Sequence, residues 1–162
     1  MREDKVVTVE ELAGRVAALK ASGKRVAHCH GCFDLVHPGH IKHLQAARRL
    51  ADALVVTVSP DRFVDKGPGR PAFPEQLRVE SVAALECVDF AAVNAWPTAE
   101  ETIRLLRPDY YVKGQEFEAP GARSGKLQRE IAVLEQVGGR MRFTHEFVSS
   151  STALLKRHFA AD

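Results

Sequence analysis

Two histidines, His37 and His40, stand three residues apart beside a glycine turn in the run GCFDLVHPGH, residues 31–40. In a helix that spacing puts two side chains on one face, about 4.5 Å apart along the axis. Pro38 sits where a helix would begin, because a missing N–H costs nothing at the first helical position. Gly31 supplies the backbone freedom for a tight turn and for close approach of a ligand. The unpaired amides of such a helix start, together with the positive end of the helix dipole, make a bed for an anion. Two imidazoles converging there suit phosphoryl-type transfer, in which charge builds on the oxygens around the attacked phosphorus and catalysis is positioning plus electrostatic stabilisation. A lone histidine is ordinarily a packing or surface residue. Two at this spacing after Gly31 make His37 and His40 candidate catalytic residues.

Other residues admit a chemical and a plain reading. Lys66 lies in a loop with Gly67, Pro68, Gly69, Arg70 and Pro71, a semi-rigid basic platform suited to phosphates, where the plain reading is a solvated lysine. Ser150, Ser151 and Thr152 place hydroxyls at the start of the last helix, where capping and phosphate binding use the same free donors. His28 and His30 alternate along one strand face and stay outside the candidate set. Cys29 and Cys32 form a C-x-x-C, which opens a redox or metal reading. A redox pair needs one thiol at the helix N-terminus, and these precede the helix by several residues. A structural zinc needs a second ligand pair, which Cys87 alone does not provide.

These residues need a scaffold, and the rest of the chain reads as one. With 162 residues, 45% hydrophobic and 27% charged, it has the size and mix of one globular domain with its own core. Short β-branched runs alternate with helix-period segments, the pattern of a parallel sheet covered by helices. Thr8 and Glu11 at capping-box spacing open a helix over 8–20, with Leu12, Val16 and Leu19 on one face. Strands follow at RVAHCH, DALVVTVS, VDFAAV, DYYVK and RMRFTH, and helices over 38–50, 74–86, 98–106 and 126–137. Gly138-Gly139 stops the last of these, and SSSTALLKRHF begins a final helix. The fold expected is an α/β, Rossmann-like, doubly wound parallel five-stranded sheet in a single domain over 1–162, with a helical extension over 1–24 and a catalytic core over 25–159. Such sheets bind ligands at the carboxyl ends of their strands near the switch point, and the first strand ends at Gly31. A formal charge of +2, from 23 basic and 21 acidic residues spread along the chain, leaves no basic run for a nucleic-acid or membrane partner. Three cysteines fit a reducing compartment, the N-terminus is charged and amphipathic, and apolar runs such as ALVVTV are too short to cross a bilayer. A soluble cytoplasmic protein is expected.

Gly31, Phe33, Asp34, His37, Gly39 and His40 match a G-x-F-D-x-x-H-x-G-H signature in full, and the chain resembles the nucleotidyltransferase superfamily marked by it. The resemblance runs over 26–155 and is closest to the branch holding glycerol-3-phosphate cytidylyltransferases, phosphonate cytidylyltransferases and the adenylyltransferase domain of ADP-heptose synthases. It implies nucleotide-binding roles for Gly31, Cys32, Phe33, Asp34 and Gly39. DRFVDKGPGRPAFPEQLR resembles that branch's loop after the second strand, which implies Lys66 on the phosphates as a catalytic group and Arg78 close behind. YYVKG, with Lys113, resembles a second nucleotide-binding motif, and Ser150 to Thr152 resemble a helix start that binds the β- and γ-phosphates. The implied reaction is direct attack of an acceptor phosphate oxygen on the α-phosphorus with loss of pyrophosphate. Mg²⁺ rides on the triphosphate without protein ligands, and no covalent enzyme intermediate forms. Where many cytidylyltransferases carry Arg in an RTEGISTT segment, this chain reads THEFVSSST, with His145 near that position. The chain length resembles the cytidylyltransferases and KGPGRP the heptose adenylyltransferases. The expectation puts CTP with a phosphate- or phosphonate-bearing acceptor first and ATP with a sugar 1-phosphate second. A non-catalytic nucleotide-binding module is a further alternative, against which stands the presence of both His37 and His40. The resemblance also implies a homodimer, for which Phe90, Trp96 and Tyr110 are candidate contacts.

Overall fold

The computed structural model describes residues 4–146 and 151–159. Thr8 caps the first helix, α1 (Val9–Ala21): its hydroxyl accepts the Glu11 N–H, and the Glu11 carboxylate accepts the Thr8 N–H. Strand β1 (Val26–Gly31) then leads to α2 (Pro38–Arg49), β2 (Ala53–Val58), α3 (Glu75–Ala83), β3 (Phe90–Val93), α4 (Glu100–Leu106), β4 (Tyr110–Gly114), α5 (Gly125–Gln136), β5 (Arg140–Thr144) and α6 (Ser151–Phe159). One 3-10 turn follows β2 and two follow β4.

The five strands form one sheet in the order β3-β2-β1-β4-β5, with every pairing parallel. The chain winds outward from β1 to β3, then crosses back to β4 and winds outward again, so the switch point lies between β1 and β4. Connections leave that point to opposite faces and open a crevice at the carboxyl ends of the two strands. On one face Cys29, Val56 and Val112 pack with Leu44 of α2 and Val79 and Val82 of α3. On the other, Val26 and Val55 pack with Leu12 and Val16 of α1, while Tyr111 packs with Ile103 of α4 and Leu127 and Leu134 of α5. With both faces covered, the central strands read as continuous apolar runs rather than alternating ones.

Some boundaries differ from the sequence reading for a physical reason. The strand expected at VDFAAV begins only at Phe90, because Asp89 acts as a clasp: its carboxylate accepts the Leu54 N–H at 2.8 Å, and its own N–H donates to the Leu54 carbonyl at 2.9 Å. Asp109 does the same for Val26 at the entry to β1. The stretch read as an N-terminal extension is built into the core. Val9, Leu12 and Val16 are buried, and Val6 bridges to Ala91 at the edge of the sheet. The three residues put forward for a dimer contact pack within the chain. Tyr110 is 8% exposed and its hydroxyl accepts from Arg25, while Phe90 and Trp96 pack against the α1 side of the core.

Because Leu12 is fully buried between α1 and the sheet, Leu12→Ala removes core volume rather than trimming an appendage. A loss of about 2 to 5 kcal/mol of unfolding free energy is expected in urea titrations. A loss within about 0.5 kcal/mol, the range of surface substitutions, would mean that α1 is dispensable to the core.

Candidate active site

The site is assembled at the end of β1. A side chain at Gly31 would be crowded, since an added Cβ would lie 3.1 Å from the Phe33 ring and the ring would have to give way. Phe33 itself is held at φ 49°, a left-handed conformation that costs a non-glycine residue roughly 1 kcal/mol or more. That turn sets its ring edge-on to His40, with centroids 5.2 Å apart, as an aromatic wall beside the helix start. His37 is not on the helix face as its spacing implied. It is the N-cap of α2, with an extended backbone, and its Nδ1 accepts the Gly39 N–H at 3.1 Å. The cap nevertheless stacks its ring on His40, with centroids 3.9 Å apart and planes 25° from parallel.

Capping fixes the His37 tautomer. Nδ1 is an acceptor, so in the neutral ring the proton sits on Nε2, which has no protein partner among the described residues. Burial lowers the His37 pKa, and burial followed by the charges of His37, His43 and Lys66 pushes His40 down to about 4. Both rings are therefore neutral at pH 7. They offer hydrogen bonds at the positive end of α2, and full positive charge is left to lysine. Lys66 is exposed in the loop after β2 and near enough for its charge to bear on His40.

That loop is held over the helix start by two buried charged groups. The Asp34 carboxylate accepts from Arg70 Nε at 2.7 Å and from the Ala72 and Phe73 N–H groups at 2.8 and 3.1 Å. Burial pushes its pKa up, but the hydrogen bonds from Ala72, Phe73 and Arg70 outweigh that and hold it below the usual value. Arg78, 1% exposed, donates to the carbonyls of Phe73, Cys32 and Ser59 and to the Asp61 carboxylate. Asp34 and Arg78 entered the sequence reading as nucleotide contacts, and in the structure their polar atoms bond to the protein itself around the helix start.

Lys113 ends β4 beside the switch point and donates from Nζ to the His30 carbonyl at 3.0 Å. Burial lowers its pKa and the nearby Glu130 raises it in part. Glu130, 1% exposed on α5, accepts from the Tyr111 hydroxyl and the Ala99 N–H. Sequence reasoning missed this acid, although its place between Leu127 and Leu134 on the apolar face of α5 is itself a signal. It also missed His43, three residues beyond His40, whose Nδ1 lies 2.7 Å from the Thr144 hydroxyl and ties α2 to the end of β5. Ser151 and Thr152 begin α6, as the sequence suggested, and Ser150 lies outside the described residues.

A family model described as cytidylyltransferase-like matches residues 28–157. The chain belongs to the cytidylyltransferase-like family. It is 41% identical over 139 residues to the Bifunctional protein HldE of Geobacter sulfurreducens, covering 85% of this chain and 27% of that protein. It is 39% identical over 156 residues to the HldE of Bradyrhizobium sp., covering 94% and 31%. The chain thus spans less than a third of the length of these relatives. A crystal structure of the lipopolysaccharide core biosynthesis protein from Thermoplasma volcanium shares the fold, with a TM-score of 0.60 at 24% identity over 75% of this chain and 94% of that one. Family membership makes the chain a nucleotidyltransferase. Cys29 is buried under α2, where its thiol is pushed up to about 12, chiefly by burial, while Cys32 lies half-buried on the turn after β1 with its carbonyl bound by Arg78. No helix among the described residues is long and apolar enough to cross a membrane.

The buried histidines of this cytidylyltransferase-like protein make its stability acid-sensitive. Burial, then the Lys113 charge, holds His28 at about 3 and His43 at about 4, both below the unfolded value near 6.5. As pH falls the unfolded chain takes up these protons first, so stability is complete above about pH 6.5 and is lost toward pH 4. The fully buried His28 alone is expected to remove on the order of 2 kcal/mol between pH 6.5 and 5. Urea unfolding at the two pH values checks this, and an unchanged slope in His28→Leu would remove His28 as its source.

Proposed function

We propose that this chain is an adenylyltransferase that moves AMP from ATP to a sugar 1-phosphate of the heptose type, with release of pyrophosphate. The observation that carries this reading is the 41% identity, over 85% of the chain, to a protein named HldE. That match favours the heptose branch over the glycerol-phosphate and phosphonate branch, so ATP takes the first place that the sequence reading gave to CTP.

The geometry supports direct in-line transfer. An acceptor phosphate oxygen forms the new bond to the α-phosphorus as the bond to the bridging oxygen breaks and pyrophosphate leaves. Such a nucleophile is already an anion at pH 7, so no side chain need take a proton from it, and neutral His37 and His40 are suited to the work that remains. The Nε2–H of His37, fixed by the cap, is placed to donate to an oxygen of the α-phosphate as charge builds there. Lys66 meets the outer phosphates from its loop, Lys113 backs the strand end, and Gly31 and Cys32 carry the close backbone approach, while the Gly39 N–H holds the His37 ring in place. Ser150, Ser151 and Thr152 keep their proposed place at the β- and γ-phosphates.

Mg²⁺ belongs to this reading as the companion of the triphosphate, supplying charge neutralisation across its oxygens. The motif carboxylate, Asp34, is occupied by three donors, and no group of three or more His, Cys, Asp or Glu among the described residues is placed to hold a metal. The ligands on this reading are phosphate oxygens and water, a usual arrangement for this ion. Three free thiols suit a reducing compartment, and we place the reaction in the cytoplasm. A homodimer would have to use side chains other than Tyr110, such as the exposed Phe63, Phe73 and Leu77.

Pyrophosphate release from ATP or CTP, each paired with a heptose 1-phosphate or glycerol 3-phosphate, tests the reading. Turnover is expected with ATP and the sugar 1-phosphate, and turnover confined to CTP would return the chain to the cytidylyl branch. His37→Ala and His40→Ala should each lower kcat about 100-fold or more with the fold retained, the scale of losing one preorganised donor, and His37→Ala should also lower the melting temperature by about 2 to 4 °C because the helix cap is lost. Nucleotide binding without turnover in any pairing would favour the non-catalytic module.

A further inference from the structure

His28 and His30 have no part in the reaction above, yet few side chains are held more closely. Their alternation along β1 puts both on the face that carries Tyr111, beside Thr57 of β2, with which His30 is in register. His28 Nε2 and His30 Nδ1 lie 2.8 and 2.9 Å from the same Thr57 hydroxyl oxygen. The His30 carbonyl is fixed as well, by Lys113.

One hydroxyl has one proton, so it donates to at most one ring. Both rings are neutral, because burial and the Lys113 charge hold them well below their ordinary values. If Thr57 donates to His28, His30 Nδ1 must donate to Thr57, and His30 Nε2 carries a lone pair. If Thr57 donates to His30, Nε2 carries the proton. In each case Nε2 is a buried polar atom without a protein partner among the described residues, on a residue only 6% exposed. A buried polar atom left unpaired is costly and calls for an account.

Its position gives one. His30 is the last side chain of β1 before Gly31, at the switch-point crevice. Lys126, in the first turn of α5, is near enough for its charge to bear on the ring. A cation in a first turn opposes the helix dipole, and α5 has no acid there to offset it.

We propose that His30 Nε2 is a substrate-contacting atom that hydrogen-bonds a hydroxyl of bound substrate, with Thr57 and His28 setting the direction of that bond. A hydroxyl both donates and accepts and so satisfies either tautomer. A phosphate oxygen only accepts, and a neutral ring brings it no charge. The hydroxyl comes either from the nucleotide ribose or from a sugar acceptor. The inference rests on the nucleotidyltransferase reading.

The test follows the His30 Nε2 resonance of ¹⁵N-histidine-labelled full-length protein, assigned through His30→Asn, during titration with ATP, 2′-deoxyATP and a heptose 1-phosphate. A shift at saturation with ATP that weakens with 2′-deoxyATP identifies the ribose. A shift only with the sugar phosphate identifies the acceptor. In kinetics, His30→Phe should raise the KM of that one substrate roughly tenfold with kcat within a few-fold, and His30→Asn, which still donates and accepts, should recover part of the loss. A structural role would move melting temperature and the kinetics of both substrates alike. An Nε2 resonance unmoved by saturating ATP and sugar phosphate overturns the proposal, and this result does not depend on whether His30→Phe folds. Pyrophosphate release by the wild type, measured alongside, separates that outcome from failure of the transferase reading itself.

Discussion

The guanidinium of Arg78 is the contact on which the site most depends. From α3 it reaches the carbonyl of Cys32 in the turn after β1, the carbonyl of Ser59 after β2, the Asp61 carboxylate, and the carbonyl of Phe73 at the far end of the Lys66 loop. Three separate segments are thereby referred to one rigid, planar cation. Arginine suits this work because its donors point outward in a fixed fork and its charge is never lost. Burying it is tolerable only because every direction is met by an acceptor and Asp61 supplies a partner charge. Asp34 is the complementary clasp from below, an anion closed by Arg70 and two backbone amides. Between them the two groups turn a glycine- and proline-rich loop, otherwise mobile, into a lid at a defined height over the helix start.

Within that frame the electrostatics divide in two. Burial governs the imidazoles. For His28, His37, His40 and His43 it is the largest influence, and it favours the neutral ring in every case. The positive side chains of the site are lysines: Lys66 in solvent, and Lys113 inside, where burial lowers its pKa and Glu130 offsets that in part. On the proposed reading, uncharged hydrogen-bond donors at the helix start and cations in the surrounding loop and strand suit a reaction in which charge shifts between oxygens and no proton need move.

The sheet was legible because its period, its β-branched runs and its glycine stops are local features that agree with one another. Each of the five strands overlaps a run that reads as a strand, with ends that agree to within two residues, and at Asp89 and Asp109 the difference arises where an aspartate side chain replaces a ladder bond. The G-x-F-D-x-x-H-x-G-H run was legible as a candidate site for the same reason: turn, helix start and imidazoles fall within ten residues. The roles of Asp34 and Arg78 were not, since their partners lie 36 to 39 and 5 to 46 residues away and no spacing rule reaches that far.

By itself, then, the sequence determined which residue types could do the chemistry, that they stand where a strand meets a helix, and which family the chain resembles. Local geometry carries all of that. Only the tertiary structure decided that His37 caps its helix and does not ride on it, that the motif aspartate faces the loop, and that a histidine left aside at the end of β1 holds a buried nitrogen without a protein partner among the described residues. Those outcomes depend on which polar atoms find partners when distant segments close on one another. Burial makes the choice binding, because inside the protein a polar atom left without a partner costs more than it does in water.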